Sequence, residues 1–210
     1  MKKLMTILSV AAVLASTGCT STSGAADAQA EVPKVSSNPL KITDETYAQM
    51  MEASVIQKGN PVRIKKFLEK VRNGENVYVC CLGGSVTEGA GPASFKDGYA
   101  YQFSRMMVKK YCPEGKNNIY FDGAGLGGTP SSLGLLRYKQ DVVNVLGHEP
   151  DLLVIEFAVN DSGSPDCSMA FEQLIRNALL KNEDAAVIAL YSAATYPNQQ
   201  KWMSSIAGYY

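Results

Sequence analysis

The chain has 210 residues, 46% of them hydrophobic and 19% charged. That length and balance suit one well-buried domain with a short extension and argue against a disordered chain. Twenty basic side chains face twenty acidic ones, and no Lys/Arg cluster carries interleaved aromatics. The electrostatic footprint of a nucleic-acid binder, or of a protein drawn as a whole to anionic membrane, is therefore missing.

In chain order, "MKK" is a short basic start, "LMTILSVAAVLA" an apolar run and "STGC" a small-residue end. About twelve apolar residues fall short of the ~20 a spanning helix needs, so residues 1–19 read as a targeting segment. It resembles a bacterial lipoprotein signal, with Cys19 as the lipidated residue and Ser16 where leucine is usual. Cleavage after Ala28-Gln29-Ala30 is the other route the residues allow. Either way the protein is expected to be exported, at the cell surface or in the periplasm if lipidated and secreted if not. Removal of the first eighteen residues leaves eighteen basic against twenty acidic side chains, a net −2. Residues 20–42, rich in Ala, Ser, Thr, Gly and Pro, read as a flexible tether, and residues 43–210 as the domain.

Within the domain a helix is expected from Asp44 to about Lys58. A second begins at Asn60-Pro61, a cap followed by the favoured first-turn residue, and carries Ile64, Phe67, Leu68 and Val71 on one face. Strand and helix then alternate. Val77–Leu82 reads as a buried strand, and Tyr99, Phe103, Met106 and Met107 as a helix stripe. Asn118–Asp122 is a short strand, and Ser131–Leu146 a helix. "DLLVIEF" at 151–157 is a strand buried on both faces. Phe171 to Leu179 marks a helix, Ala185–Tyr191 a strand and Gln199–Tyr210 a last helix. Such alternation predicts an α/β class, a three-layer α/β/α domain on a parallel, flavodoxin-like sheet. Its chemistry belongs in the loops at the carboxyl ends of the strands. The cysteines and the single histidine offer no metal-ligand spacing, and no cofactor is called for. Adjacent Cys80 and Cys81 point to opposite faces of a strand and read as small buried residues. A Cys112–Cys167 bridge is left open.

Three of those loops read "GGSVTEG", "GAGLGGTPSS" and "FAVNDS". The first lacks the lysine of a phosphate-binding loop, and Thr87 stands where a nucleophile elbow needs glycine. "GAGLGG" fits G-x-G-x-x-G but has no evident partner acid. Taken together and in order, the three loops resemble the SGNH (GDSL-type) hydrolases. The longer phrases "LGGSVTEGAG", "GGTPSSLGLLRYKQDVV" and "PDLLVIEFAVND" are similar to a bacterial subgroup associated with carbohydrate-ester deacetylation. The resemblance covers about 77–210. It implies a serine ester hydrolase with Ser85 as nucleophile and with Ser85, Gly128 and Asn160 as oxyanion-hole donors. The implied substrate is a small acyl ester or acetylated carbohydrate. The residue types suit that chemistry, since acyl transfer needs a nucleophile and donors aimed at a developing oxyanion. Gly84 stands in place of the usual aspartate, and Gly123 in place of the block-two asparagine.

The family's Asp-x-x-His block, which supplies the base, has no counterpart in these 210 residues. His148 is the only histidine and is expected at the amino end of the sheet, out of reach of Ser85. The expectation is a domain incomplete at its carboxyl end, with an uncovered sheet edge and little activity by itself. The competing reading is a non-catalytic, exported ligand-binding protein on the same fold.

Overall fold

The computed structural model describes residues 42–192 and 197–210. The signal segment with Cys19, and all but the last residue of the tether, lie outside them. Four strands, β1 (Val77–Gly83), β2 (Ile119–Gly125), β3 (Leu152–Glu156) and β4 (Ala186–Ala189), form one sheet in the order β2-β1-β3-β4. Every pairing is parallel. The α/β class and the layered architecture are as expected, and each parallel crossover is made by a helical segment, as such connections require.

The period-two alternation of β1 sorts its side chains to two cores. Cys80 and Leu82 join Leu153, Ile155, Phe157 and Phe171 on one side. Val79 and Cys81 join Phe67, Leu68, Met107 and Val154 on the other. Helices α1 (Asp44–Ala53) and α2 (Val62–Arg72) precede the sheet, and the one-turn α3 (Ser85–Glu88) and α4 (Tyr99–Tyr111) follow β1. The helices α2 and α4 supply the second core. Helices α5 (Ser131–Tyr138), α6 (Asn144–Leu146), α7 (Pro165–Lys181) and α8 (Pro197–Ala207) complete the chain, and α5, α7 and α8 pack on the first core.

Several bounds differ from the sequence reading. Helix α1 stops at Ala53 rather than near Lys58. Its Ser54 hydroxyl turns back to the Met51 carbonyl at 2.8 Å, an alternative to continuing the helical ladder. The second helix starts at Val62, so Pro61 rather than Asn60 stands at its cap, and Asn60 Oδ1 accepts from Val62 N at 3.0 Å from one residue further back. The expected helix 131–146 is interrupted by a wide π-type turn at Lys139–Val143. Strand β2 runs three residues past Asp122, to Gly125. The register pairs Cys81 with Gly123 and Gly83 with Gly125, so the first two glycines of "GAGLGG" are strand residues. A dinucleotide loop is excluded on that ground.

Cys112 and Cys167 are free thiols. Cys112 packs with the α2/α4 core while Cys167 lies on α7 across the sheet, so the bridge left open above does not form. Cys80 and Cys81 are fully buried, and burial pushes the Cys80 thiol up to about 12. Among the described residues β4 pairs only with β3. Along its free edge opens a cleft of about 740 Å³, lined by Ile64, Phe103 and Met107 from one face and by Ile175, Leu179 and Tyr210 from the other. No helix of the described residues is long and apolar enough to cross a membrane.

The tightest passage lies where α3 crosses β2. A Cβ at Gly125 would stand 2.6 Å from the Thr87 carbonyl carbon and closer still to Glu88 N, and both of those are backbone atoms with little freedom to move. Gly125→Ala is expected to cost about 1–3 kcal/mol, the usual range for overpacking. Gly163→Ala, with open space at its Cβ and no positive φ, is expected to stay within ~0.5 kcal/mol of the parent. Equal midpoints for the two variants in urea unfolding would contradict this packing.

Candidate active site

Register places the three sequence-predicted positions together. Gly83, at the end of β1, pairs with Gly125 on one side and Glu156 on the other, so the loops leaving β1, β2 and β3 start from one level. Gly84 caps α3, and Ser85 is the first helical residue, half-buried. At that position its N–H has no intrahelical acceptor.

Gly84 marks the meeting point of the three loops. A side chain there would lie 3.5 Å from Asn160 Cγ and 3.5 Å from the Thr129 carbonyl oxygen, the first from the β3 loop and the second from the β2 loop. Ser85 is the next residue. Gly127 completes the ring, since its Cβ would stand 3.7 Å from Ser85 Cβ and 2.9 Å from Glu88 Oε2. Gly128 has open space at its Cβ and is needed for its backbone, with φ at +71°, where other L-residues are strained.

His148 is elsewhere. Its ring stacks on Tyr78, with centroids 4.1 Å apart, and Tyr78 is the second residue of β1. Five strand steps, roughly 17 Å at ~3.3 Å each, separate Tyr78 from Gly83. Among the described residues no group of three or more His, Cys, Asp or Glu could hold a metal ion.

Three charged residues that the sequence reading passed over hold the loops in place. Arg137, on α5, donates from Nη2 to the Gly83 and Ala124 carbonyls, both at 2.9 Å, and from Nη1 to Asp141 at 3.0 Å. It ties the carboxyl ends of β1 and β2 together with a side chain only 9% exposed. Asp161, beside Asn160, accepts from Ser131 N at 2.6 Å and so fixes the start of α5, three residues beyond Gly128. Burial pushes its carboxyl up, while Ser131 and Cys167 favour the ionised form.

Glu156 ends β3 with 1% exposure. Its carbonyl accepts from Gly84 N at 3.2 Å, and its Oε1 accepts from Ser192 Oγ at 2.7 Å. Thr87, on α3, pairs with the Tyr99 hydroxyl at 2.8 Å. Glu156 therefore joins the Ser85 turn, through its backbone carbonyl, to the loop after β4, through its carboxyl. Burial raises its pKa above the ordinary 4.5, against the pull of these hydrogen bonds. The signal for it was legible as a charged residue inside the apolar run "DLLVIEF".

Comparison with known proteins decides the family. Residues 81–208 match the GDSL-like Lipase/Acylhydrolase family, with all three loops inside the matched span. The chain belongs to this family. Among solved structures it is similar to a two-domain esterase (CEX) active on acetylated mannans, at 28% identity and a TM-score of 0.66. The same esterase co-crystallised with mannopentaose matches at 28% identity and 0.67. Each match covers 76% of this chain and 42% of that one, so the chain spans less than half the length of the esterase it resembles. Among curated proteins, none matches.

A buried carboxyl with a raised pKa binds more protons in the folded chain than in the unfolded one. Stability then falls as pH rises above about 4.5 toward the folded value. Glu156→Gln keeps an acceptor for Ser192 and removes the charge, so its stability is expected to fall less over that window in urea titrations at stepped pH. A fall as steep as the parent's would show that Glu156 does not carry this dependence.

Proposed function

We propose that the chain carries the nucleophile and oxyanion side of a serine esterase acting on acetylated carbohydrate. The observation that carries this reading is the meeting of the Ser85, Gly127–Thr129 and Asn160 loops around Gly84. The mannan-esterase likeness supports the substrate class.

In this reading Ser85 Oγ attacks the acetyl carbonyl carbon and forms the new C–O bond. Negative charge gathers on the carbonyl oxygen, facing the N–H groups of Ser85 and Gly128 and the side-chain amide of Asn160. Collapse breaks the bond to the sugar oxygen, which leaves as a hydroxyl carrying the serine proton. Water then releases acetate from the acyl-serine. Preorganised donors of this kind each contribute about 10²–10³ in rate, because they need no reorientation as the charge develops.

The proton step sets the limit. The only imidazole in the sequence stands at the amino end of the sheet, so in this reading Ser85 has no histidine of these 210 residues to take its proton. A serine without its base loses roughly 10⁶ in turnover in the best-measured serine hydrolase. Deacylation needs the same base, so an acetyl group once transferred should stay on the serine. The proposed export and lipid attachment at Cys19 would place this chemistry outside the cytoplasm.

The expected result with p-nitrophenyl acetate is slow, single-turnover acetylation. Peptide mass spectrometry should find about one acetyl group per chain on the Ser85 peptide, and none there in Ser85→Ala. Multiple turnovers at an enzyme-like rate would refute the missing base, and a Ser85 peptide left unmodified would refute the nucleophile.

A further inference from the structure

On the α3–α4 connection, which leaves the Ser85 turn, a phenyl ring is held exposed by a turn that the sequence builds in detail. Phe95 opens a 3-10 turn, Phe95–Asp97, and is 62% exposed. Ser94 caps that turn through Lys96 N, Gly98 N returns to the Phe95 carbonyl at 3.0 Å, and Gln102 Nε2 holds the Lys96 carbonyl at 2.7 Å. The Phe95 backbone is packed between two glycines. A Cβ at Gly89 would lie 3.1 Å from Phe95 Cα, and one at Gly98 would lie 3.0 Å from the Phe95 carbonyl oxygen. The Tyr101 ring meets the phenyl ring edge-on, with centroids 5.9 Å apart and planes at 76°, which leaves ring surface open to solvent.

The same few residues place a carboxylate at the site. Gly89 ends α3, and Glu88 immediately before it directs Oε2 toward the space that Gly127 shares with Ser85. Gly89 thus separates an exposed carboxylate beside Ser85 from an exposed ring on a tightly held backbone. Around the mouth, Leu126 and Val159 are also exposed apolar side chains, on the loops of Gly128 and Asn160. Lys96, next to the ring, is the nearby cation in this turn.

We propose that Phe95 and Glu88 form a sugar subsite. The ring takes the apolar C–H face of a neutral pyranose, and the carboxylate accepts hydrogen bonds from neighbouring hydroxyls of the unit presented to Ser85. The physical basis is complementary. An aromatic face is electron-rich and attracts the polarised C–H bonds of a pyranose, an ionised carboxylate offers only acceptors, and a ring already fixed loses little freedom on binding. The carboxylate also disfavours glycans that carry their own carboxylates. The choice of ligand rests on the carbohydrate-ester reading above, whereas the subsite needs no ester and no base.

Isothermal titration of the full chain with unacetylated mannopentaose tests the subsite separately from acyl transfer. Phe95→Ala is expected to weaken binding about tenfold, and Phe95→Trp to restore it. Glu88→Gln is expected to weaken mannopentaose binding and to strengthen binding of an acidic oligogalacturonide. Parent-like affinity in Phe95→Ala, with its far-UV spectrum unchanged, would overturn the ring's role. An oligogalacturonide affinity unmoved by Glu88→Gln would overturn the carboxylate's. Absence of mannopentaose binding by the parent at millimolar concentration would overturn the subsite, while leaving the acetylation of Ser85 to stand or fall by its own test.

Discussion

The parallel pairing of β1 between β2 and β3 is the constraint on which the site depends. Gly83 lies level with Gly125 and with Glu156, so three loops depart from one plane. Each then delivers its residue within a few ångströms of Gly84. Had β2 stopped at Asp122, its loop would leave the sheet about three residues, roughly 10 Å, too early to reach Ser85. The small residues of "GAG" let the strand run on beneath α3, where a side chain at Gly125 would overlap the helix backbone.

Holding those loops takes charge inside the protein. Arg137 binds the two strand-end carbonyls, Asp161 secures the start of α5, and Glu156 joins the Ser85 turn to Ser192. Buried ionisable groups are costly unless paired and hydrogen-bonded, and these three are nearly enclosed. Their hydrogen bonds go mainly to loop and strand-end groups around the site, and only the Arg137–Asp141 pair lies within one helical segment. That pattern suits side chains that fix positions more than ones that add to overall stability. Among the described residues, Glu156 in particular joins two loops that no backbone hydrogen bond links.

Much of this was legible in the sequence. Alternating strand and helix signals, the two-faced burial of "DLLVIEF" and the opposed Cys80 and Cys81 indicated the layered parallel fold. The glycine-rich strand ends indicated where chemistry belongs. The glycines also misled, because residues 123–125 read as a loop while register with β1 keeps them in the sheet. The break in the helix at 139–143 was hidden because Leu135, Tyr138, Val142 and Val145 keep a near-helical spacing through it. The separate roles of Gly127 and Gly128, one for space and one for φ, depend on neighbours distant in sequence. So do the partners of Arg137, which come from two strands that only the fold brings together.

The rate of acetyl transfer to Ser85 in Asn160→Ala, measured beside the parent by mass spectrometry at matched pH, tests the convergence most directly. If Asn160 faces the oxyanion as its position over Gly84 indicates, the single-turnover rate falls about 10²–10³ while Ser85 remains the modified residue. An unchanged rate would mean that the three loops meet without forming a site.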